Sequence, residues 1–301
     1  MNKFYRITFA VLCVLLAALS LILVFSGSAI AGIAGLLFSY FLFRKSQSFG
    51  KQGSRSKNSN SNPSAVAPAS DPRNARQLFI ENQQAAFASQ LKSVPLTPAA
   101  TDPGAKLERL RLSDMPEIKY AAITASFNPD RLPSFVVIDT ETNGIKIQGG
   151  RILELSAIRY EDFQPVAAWT SLVNPEKAIP ADATAVNGIT DDMVASAPTL
   201  AQVSASFIDF IGTSPLVGYN LPFDLKFLYS RGIDLTAQKR KYYDVLEVAR
   251  RAFKKDEVFS YKLVDVSEAC GIFPDSAHRS LADCFTTAQV FQCCIDRITD
   301  R

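Results

Sequence analysis

Histidine is almost absent from this chain of 301 residues, which contains only His278. The five cysteines form no Cys-x-x-Cys pair, and their number is odd. These features argue against a zinc site of histidine and cysteine ligands and against a disulfide framework. The cysteine content fits a reducing compartment. A net charge of +3 does not by itself indicate nucleic-acid binding.

Charged side chains are missing from residues 7–43. At 1.5 Å per residue, this stretch is nearly twice as long as one membrane-spanning helix needs. Ser26, Gly27 and Ser28 offer a break, so the sequence predicts a transmembrane helical hairpin over residues 1–45. Lysine and arginine flank both ends of the hairpin, so by the positive-inside rule we expect two spans in the cell membrane and a cytoplasmic remainder.

A cleavable signal peptide is the alternative interpretation of the N-terminal segment. Ala29-Ile30-Ala31 resembles a small-residue cleavage site. Against this alternative, the apolar core over residues 7–25 is longer than that of a usual signal peptide, and a second apolar segment follows directly. The anchored hairpin is therefore the preferred prediction.

Composition divides the rest of the chain into three parts. Residues 46–75 are rich in serine, asparagine, glycine, lysine and proline, which predicts a disordered linker. Residues 76–132 have mixed patterns: an isolated helix is expected at 76–92, a helical stretch at 106–112 and an extended one at 118–125. Residues 133–301 are long enough for one folded domain with its own core.

The best-defined element of that domain is an apolar, β-branched run that begins at Phe135 and ends in Asp139-Thr140-Glu141. Such a run is typical of a strand buried on both faces. Residues i and i+2 of a strand point the same way, so both carboxylates can converge on one point. Two converging anions are tolerable there only if cations neutralise them, and hard divalent ions suit carboxylate oxygens.

Two further acids and the single histidine follow on other elements. Asn220 in the N-cap position and Pro222 in the first turn predict a helix that carries Asp224 in its opening turn. Asp283 falls within a helical pattern over 279–292. Since a spacing of five does not put two residues on one helix face, His278 is expected in the loop that enters this helix.

Hydrophobic patterns predict the remaining elements of the domain. Strands are expected at 151–160, 167–173 and 215–219, with a tight turn at 161–165 between the first two. Helices are expected at 200–211, 221–231, 245–253 and 262–269, and the second of them should be closed by Gly232. Asp244 is interpreted as the N-cap of the third of these helices rather than as a metal ligand.

In this order, the acidic motifs resemble those of the DnaQ-like, DEDDh-type 3′-5′ exonucleases, the family of the proofreading ε subunit of bacterial DNA polymerase III. Three motifs carry the resemblance: Asp139, Glu141, Thr142 and Gly144; Gly218 to Asp224; and His278 with Asp283. A loop at residues 185–190 is similar to a further family motif. Three positions depart from the family pattern: Asn143 stands where threonine is commoner, and Tyr219 and Asn187 stand where histidine is commoner. The resemblance covers roughly residues 133–297 and nothing before them.

The resemblance implies a ribonuclease H-like α/β fold, with a mixed five-stranded sheet flanked by helices. In this chain, the two transmembrane helices predicted from composition precede that fold. It also implies two divalent cations, Mg²⁺ or Mn²⁺, held by Asp139, Glu141, Asp224 and Asp283, and His278 as the general base. The residues expected near the terminal nucleotide are Thr140, Thr142, Tyr219, Asn220 and Phe223.

The sequence thus predicts a membrane-tethered, metal-dependent 3′-5′ exonuclease that acts on single-stranded or frayed DNA and releases nucleoside 5′-monophosphates. RNA or short oligoribonucleotides are an alternative substrate, because the motifs do not record the sugar. A nucleic-acid-binding module without catalysis is the second alternative. The expected partners are nucleic acid and the membrane, whereas a polymerase or other replication or repair partner is not identified by the sequence.

Overall fold

The computed structural model describes residues 72–274 and 279–300, which belong to one compact unit. Among these residues, no helix combines the length and the apolar character that a bilayer span requires. The predicted hairpin at 1–45, almost all of the predicted linker at 46–75, and His278 lie outside the described residues.

The described chain contains six strands and eight α-helices. The strands are β1 (Leu96–Thr97), β2 (Ser134–Thr142), β3 (Ile152–Glu161), β4 (Gln164–Leu172), β5 (Leu216–Gly218) and β6 (Tyr242–Asp244). The helices are α1 (Pro72–Ser93), α2 (Ala181–Asn187), α3 (Asp191–Val194), α4 (Leu200–Ile211), α5 (Leu221–Ser230), α6 (Val245–Ala252), α7 (Leu263–Ala269) and α8 (Ser280–Thr299). Short 3-10 turns occur at Leu112–Asp114 and Pro129–Arg131.

The strands form one mixed sheet in the order β1-β4-β3-β2-β5-β6. β3 is antiparallel to both β2 and β4, while the three remaining pairs are parallel. The predicted mixed sheet flanked by helices is therefore confirmed, but it has six strands rather than five. The additional strand, β1, has only two residues, too few to show a period along the sequence.

The sheet is covered on both faces, as the apolar run of β2 predicts. Phe135 and Val137 face a core cluster that includes Phe291 of α8. Val136 and Ile138 face the opposite cluster, which includes Phe207 of α4. Because successive residues of a strand point to opposite faces, this alternation places β2 between two helical layers.

The β3–β4 hairpin is tighter than predicted. Its connection consists of Asp162 and Phe163, which both adopt positive φ angles, 46° and 61°. Two-residue turns of this left-handed kind match the twist of paired strands. The ring of Phe163 packs against Phe135 and Phe291, with centroids 5.2 and 6.3 Å apart, so a core contact accompanies an unfavourable backbone conformation.

The segment before the domain packs against it. Helix α1 is not isolated as predicted, because Phe87 is buried and meets Phe285 edge to face at 5.0 Å. The expected helix at 106–112 is wrong: the chain is irregular there and ends in the short turn that begins at Leu112. The expected extended stretch at 118–125 makes a single bridge, between Tyr120 and Tyr242.

Candidate active site

The acids of β2 lie at the end of a strand held on both sides. Asp139 is paired in register with Ser156 of β3, and Glu141 with Glu154. The register shifts between Glu141 and Thr142, where β2 ends. Regular pairing thus fixes the backbone under both carboxylates.

A third carboxylate joins them from α8. Asp283 lies in the first turn of this helix, and its N–H donates to the carbonyl of Arg279 at 3.0 Å. Asp139, Glu141 and Asp283 each offer an oxygen, and the three oxygens lie within 4.8 Å of one another. The structure therefore brings together three of the four predicted acids as a candidate cation site, which we call the acid cluster.

Asp224, the fourth acid, lies in the first turn of α5 as predicted and is 3% exposed. Its carboxylate accepts hydrogen bonds from the backbone N–H of Thr140 at 3.0 Å and from the Thr140 hydroxyl at 2.7 Å. Thr140 is also expected near the terminal nucleotide. Its hydroxyl is buried and holds Asp224, and its contact with the nucleotide stays a prediction.

Burial and mutual repulsion raise the pKa values of these acids. Burial raises the pKa of Asp139 well above its ordinary value, and Asp224 and Asp283 raise it further. Burial and the neighbouring acids raise the pKa of Glu141 to about 8, and burial raises that of Asp224 to about 7 despite its hydrogen bonds from Thr140. Near neutral pH the cluster therefore holds protons or needs cations.

The donor set fits a hard divalent cation. All the converging ligand atoms are carboxylate oxygens. Mg²⁺, Mn²⁺ and Ca²⁺ prefer this type of ligand, whereas the softer transition metals do not. A bound cation also favours the ionised carboxylates, which burial and mutual repulsion disfavour, so it would lower the pKa values of these acids.

Comparison with known proteins identifies the domain that carries this site. A family model described as RNase_T exonuclease matches residues 136–291, more than half of the chain, including all four acids. The chain belongs to this exonuclease family.

Relatives of the exonuclease domain include proteins named as DNA polymerase III. DNA polymerase III subunit epsilon of Treponema pallidum is 30% identical over 163 residues, which cover 52% of this chain and 74% of that protein. A PolC-type DNA polymerase III of Thermotoga petrophila is 32% identical over 200 residues, or 64% of this chain and 14% of that protein. This chain spans a third or less of the length of the first relatives it matches.

Two solved exonuclease structures resemble the domain. Exonuclease I of E. coli, in complex with a dA16 oligonucleotide, has a TM-score of 0.47 at 21% identity, covering 56% of this chain and 42% of that one. Exonuclease X, in complex with 5′ overhanging duplex DNA, has a TM-score of 0.43 at 24% identity, covering 56% of this chain and 93% of that one.

A fifth acid of the exonuclease domain was missed in the sequence. Glu154 of β3 is 3% exposed and forms an ion pair with Arg279, whose Nη2 lies 2.5 Å from Oε1. Its Oε2 accepts from the N–H of Ser280 at 2.9 Å and from the Ser280 hydroxyl at 3.0 Å. Glu154 thus anchors the start of the helix that carries Asp283. The signal was present, because a carboxylate within an apolar strand must find a partner.

The residues expected to contact substrate have varied surroundings. The Tyr219 hydroxyl donates to the carbonyl of Tyr261 at 2.8 Å, and the Thr142 hydroxyl donates to that of Gly144 at 2.9 Å. Phe223 is partly buried, with its ring 5.4 Å from that of Phe227. Their part in substrate binding stays a prediction.

The predicted N-caps of α5 and α6 are both confirmed in position but differ in hydrogen bonding. Asp244 accepts from the N–H of Leu246 at 3.1 Å, so its predicted capping role is confirmed. Asn220 is the N-cap residue of α5, but its side chain makes no capping hydrogen bond and its backbone is left-handed, with φ 56°. Asparagine tolerates this conformation, so the backbone sets the turn into α5.

Asn187, which stands where the family commonly has histidine, supports the acid cluster. Its Nδ2 donates to the carbonyl of Thr142 at 3.3 Å, and its Oδ1 accepts from the N–H of Ile189 at 3.0 Å. A hydrogen bond from the Asn187 side chain also lowers the pKa of Glu141, in opposition to the larger effect of burial. An amide in this place therefore contacts both the strand end and the acid.

Proposed function

We propose that this protein is a metal-dependent 3′-5′ exonuclease that shortens DNA from a single-stranded or frayed 3′ end and releases nucleoside 5′-monophosphates. One observation carries the proposal: oxygens of Asp139, Glu141 and Asp283 converge within 4.8 Å in a domain of an exonuclease family. The buried Asp224, whose charge raises the pKa of Asp139, adds the fourth acid.

We assign two divalent cations, Mg²⁺ or Mn²⁺, to these acids. Asp139 would contact both cations, Glu141 and Asp283 would complete the shell of one, and Asp224 would serve the other. When bound, the cations polarise the scissile phosphodiester and stabilise the charge that develops on the leaving oxygen.

The chain itself supplies orientation and proton transfer. Thr140 fixes the rotamer of Asp224 through two hydrogen bonds, and outer partners of this kind orient metal ligands. Glu154 and Arg279 fix the start of the helix that carries Asp283. His278 is assigned as the general base that takes a proton from the attacking water, since imidazole titrates near neutral pH.

DNA is the proposed substrate because relatives of this domain bear the names of DNA polymerase III subunits. RNA is the second candidate, since the matching family model is named for a ribonuclease. The two candidates differ at the sugar, where a contact to the 2′ hydroxyl would discriminate.

We also propose that the enzyme is held at the cytoplasmic face of the cell membrane. The support is the uncharged stretch at 7–43 with basic residues on both sides. The proposed organisation has a hairpin at 1–45, a linker at 46–75, an intervening segment at 76–132 and the exonuclease domain at 133–301. The intervening segment packs in the same compact unit as that domain.

The direct test uses full-length protein and 5′-labelled single-stranded DNA and RNA of one sequence, with Mg²⁺, Mn²⁺ or EDTA. We expect a metal-dependent ladder that shortens from the 3′ end and is lost in Asp139→Asn. Asp192→Asn, which changes an exposed acid outside the cluster, should cleave like the wild type. Intact label in every condition, or undiminished cleavage by Asp139→Asn, would refute the proposal.

A further inference from the structure

A second charged site lies beside the loop that follows β2. It is a cavity of about 180 Å³, lined by the side chains of Arg109, Arg151 and Arg231 and by the start of α4. This volume is several times the roughly 30 Å³ that one water occupies in the liquid. We call it the arginine pocket.

Two of the three guanidinium groups, those of Arg151 and Arg231, are held by backbone carbonyls rather than by ion pairs. Arg151 donates to the carbonyls of Pro175, Gly149 and Gly150 at 3.2, 3.4 and 3.1 Å. Arg231 donates from Nη2 to the carbonyl of Ile147 at 2.7 Å. Within the described ranges, none of the three arginines forms a salt bridge.

Arg231 is the most constrained of the three. Its side chain lines the pocket, the residue is 8% exposed, and its Nε is buried with no partner among the described residues. Burial lowers the pKa of its guanidinium, and the charges of Arg151 and Arg109 lower it further. A buried, unpaired N–H on a cation is costly, so Arg231 is held in place with one donor unsatisfied.

The start of α4 adds to the positive potential of the pocket. Leu200 and Ala201, the first two helical residues, line it. In the capping box, the Thr199 side chain accepts from the N–H of Gln202. The N–H groups of Leu200 and Ala201 take no part in it. The N-terminus of a helix favours anions. Glu176 is the one acidic side chain among the lining residues, and it is exposed.

Close backbone approach helps assemble the pocket. Gly232 has φ +93°, and a Cβ at this position would lie 2.4 Å from the carbonyl oxygen of Glu108. Only glycine tolerates both this positive φ and this close contact without strain. The chain before the exonuclease domain can therefore reach the end of α5, where it places Arg109 beside Arg231.

We propose that the arginine pocket binds a phosphate group. A planar guanidinium group can donate two parallel hydrogen bonds to two oxygens of one phosphate, and backbone N–H groups at a helix start complete such a site. The phosphate comes either from the backbone of a nucleic-acid strand or from free inorganic phosphate. The first source rests on the proposed function and the second does not.

Binding of inorganic phosphate to the full-length protein tests the site itself. Radiolabelled phosphate is measured by equilibrium dialysis, with EDTA present and ionic strength held constant with chloride. We expect one phosphate per chain, with affinity reduced several-fold in Arg109→Gln. Arg109 and Arg111 are both exposed, and Arg111 does not line the pocket, so Arg111→Gln is the matched control and should bind like the wild type.

A second assay identifies the source of the phosphate. On an Asp139→Asn background, single-stranded DNA binding is followed by fluorescence anisotropy over a range of salt concentrations. If a strand phosphate occupies the pocket, Arg109→Gln weakens binding and reduces the salt slope by about one. If Arg109→Gln keeps the DNA affinity but loses binding of inorganic phosphate, the site is assigned to free phosphate.

The proposal is overturned if Arg109→Gln matches Arg111→Gln in both assays. Neither assay requires turnover, so absence of exonuclease activity would not be mistaken for absence of the phosphate site. Retention of phosphate by the Asp139→Asn protein would further separate the arginine pocket from the acid cluster.

Discussion

The acid cluster and the arginine pocket each gather like charges, and the same loop connects them. Residues 143–151 run from the end of β2 to Arg151, and Asn143 and Arg151 exchange hydrogen bonds of 2.9 and 2.7 Å at its ends. On one side of this connection are carboxylates, and on the other are guanidinium groups.

The two sites manage their repulsion by different chemistry. The carboxyls neutralise themselves by taking up protons, as the pKa values of about 8 for Glu141 and about 7 for Asp224 indicate. A guanidinium does not lose its proton in proteins, so the pocket depends on carbonyl dipoles and on an anion. A cluster of acids therefore tolerates loss of its counter-ion better than a cluster of arginines.

Arg279→Ala should give the largest change in stability, because it turns Glu154 into an acid without its counter-charge. Removing one partner of a buried pair costs about 3 kcal/mol; the partial exposure of Arg279 makes this an upper value. The free energy of unfolding in urea measures the loss. Adding Glu154→Gln to Arg279→Ala should restore part of it, and no recovery would show that Glu154 is neutralised by other groups.

Divalent cations should stabilise the acid cluster selectively. With Mg²⁺ at a hundred times its Kd, the free energy of unfolding should rise by about 2.7 kcal/mol, and EDTA should reverse the gain. Asp139→Asn should abolish this effect, whereas Arg109→Gln should keep it. An equal gain in both variants would mean that the cation binds elsewhere.

Thr140→Val should lower kcat by roughly 10- to 100-fold, the usual cost of removing a partner that orients a metal ligand. The substitution keeps the shape of the side chain but removes the hydroxyl that donates to Asp224. Thr140→Ser, which retains the hydroxyl, should recover most of the activity. If both variants have the same rate, the hydroxyl does not orient the acid.

The smallest effect is on pH dependence without metal. Folded pKa values of Glu141 and Asp224 lie above their ordinary values of 4.5 and 3.8. Their protonation therefore stabilises the fold below about pH 4, and this stability is lost as pH rises through about 7 to 8.

Glu141→Gln should consequently be more stable than the wild type at pH 8 in EDTA, by about 1 kcal/mol. Urea unfolding between pH 4 and pH 9 measures the difference. Arg109→Gln should leave the pH profile unchanged, because a guanidinium does not titrate in this range. A Glu141→Gln profile parallel to that of the wild type would contradict the raised pKa.

Local patterns sufficed for the elements that carry the acids. The apolar run of β2 and the capping residue Asp244 act through neighbours in the chain, so their roles could be predicted from the sequence. The ion pair between Glu154 and Arg279 joins residues 125 positions apart. The packing of α8 against β3 brings them together, although the buried charge itself was a signal.

The arginine pocket was beyond sequence reasoning for the same physical reason. Arg109, Arg151 and Arg231 come from three separate segments, and their approach depends on the tight contact at Gly232. The two-residue turn at Asp162 and Phe163 could not be predicted either. Both residues have a positive φ, but neither is a glycine, the residue that usually indicates this conformation.

The chain between α1 and β2 also closes both borders of the sheet. At one border, β1 pairs with β4, and the N–H of Ala168 donates to the carbonyl of Pro95 at 2.8 Å. At the other, the N–H of Ala121 donates to the carbonyl of Tyr242 at 2.7 Å. Unpaired edge strands are templates for association with other chains. A fragment trimmed to residues 136–291 would lose the partners at both edges, and we expect it to associate with other chains more readily than the longer protein.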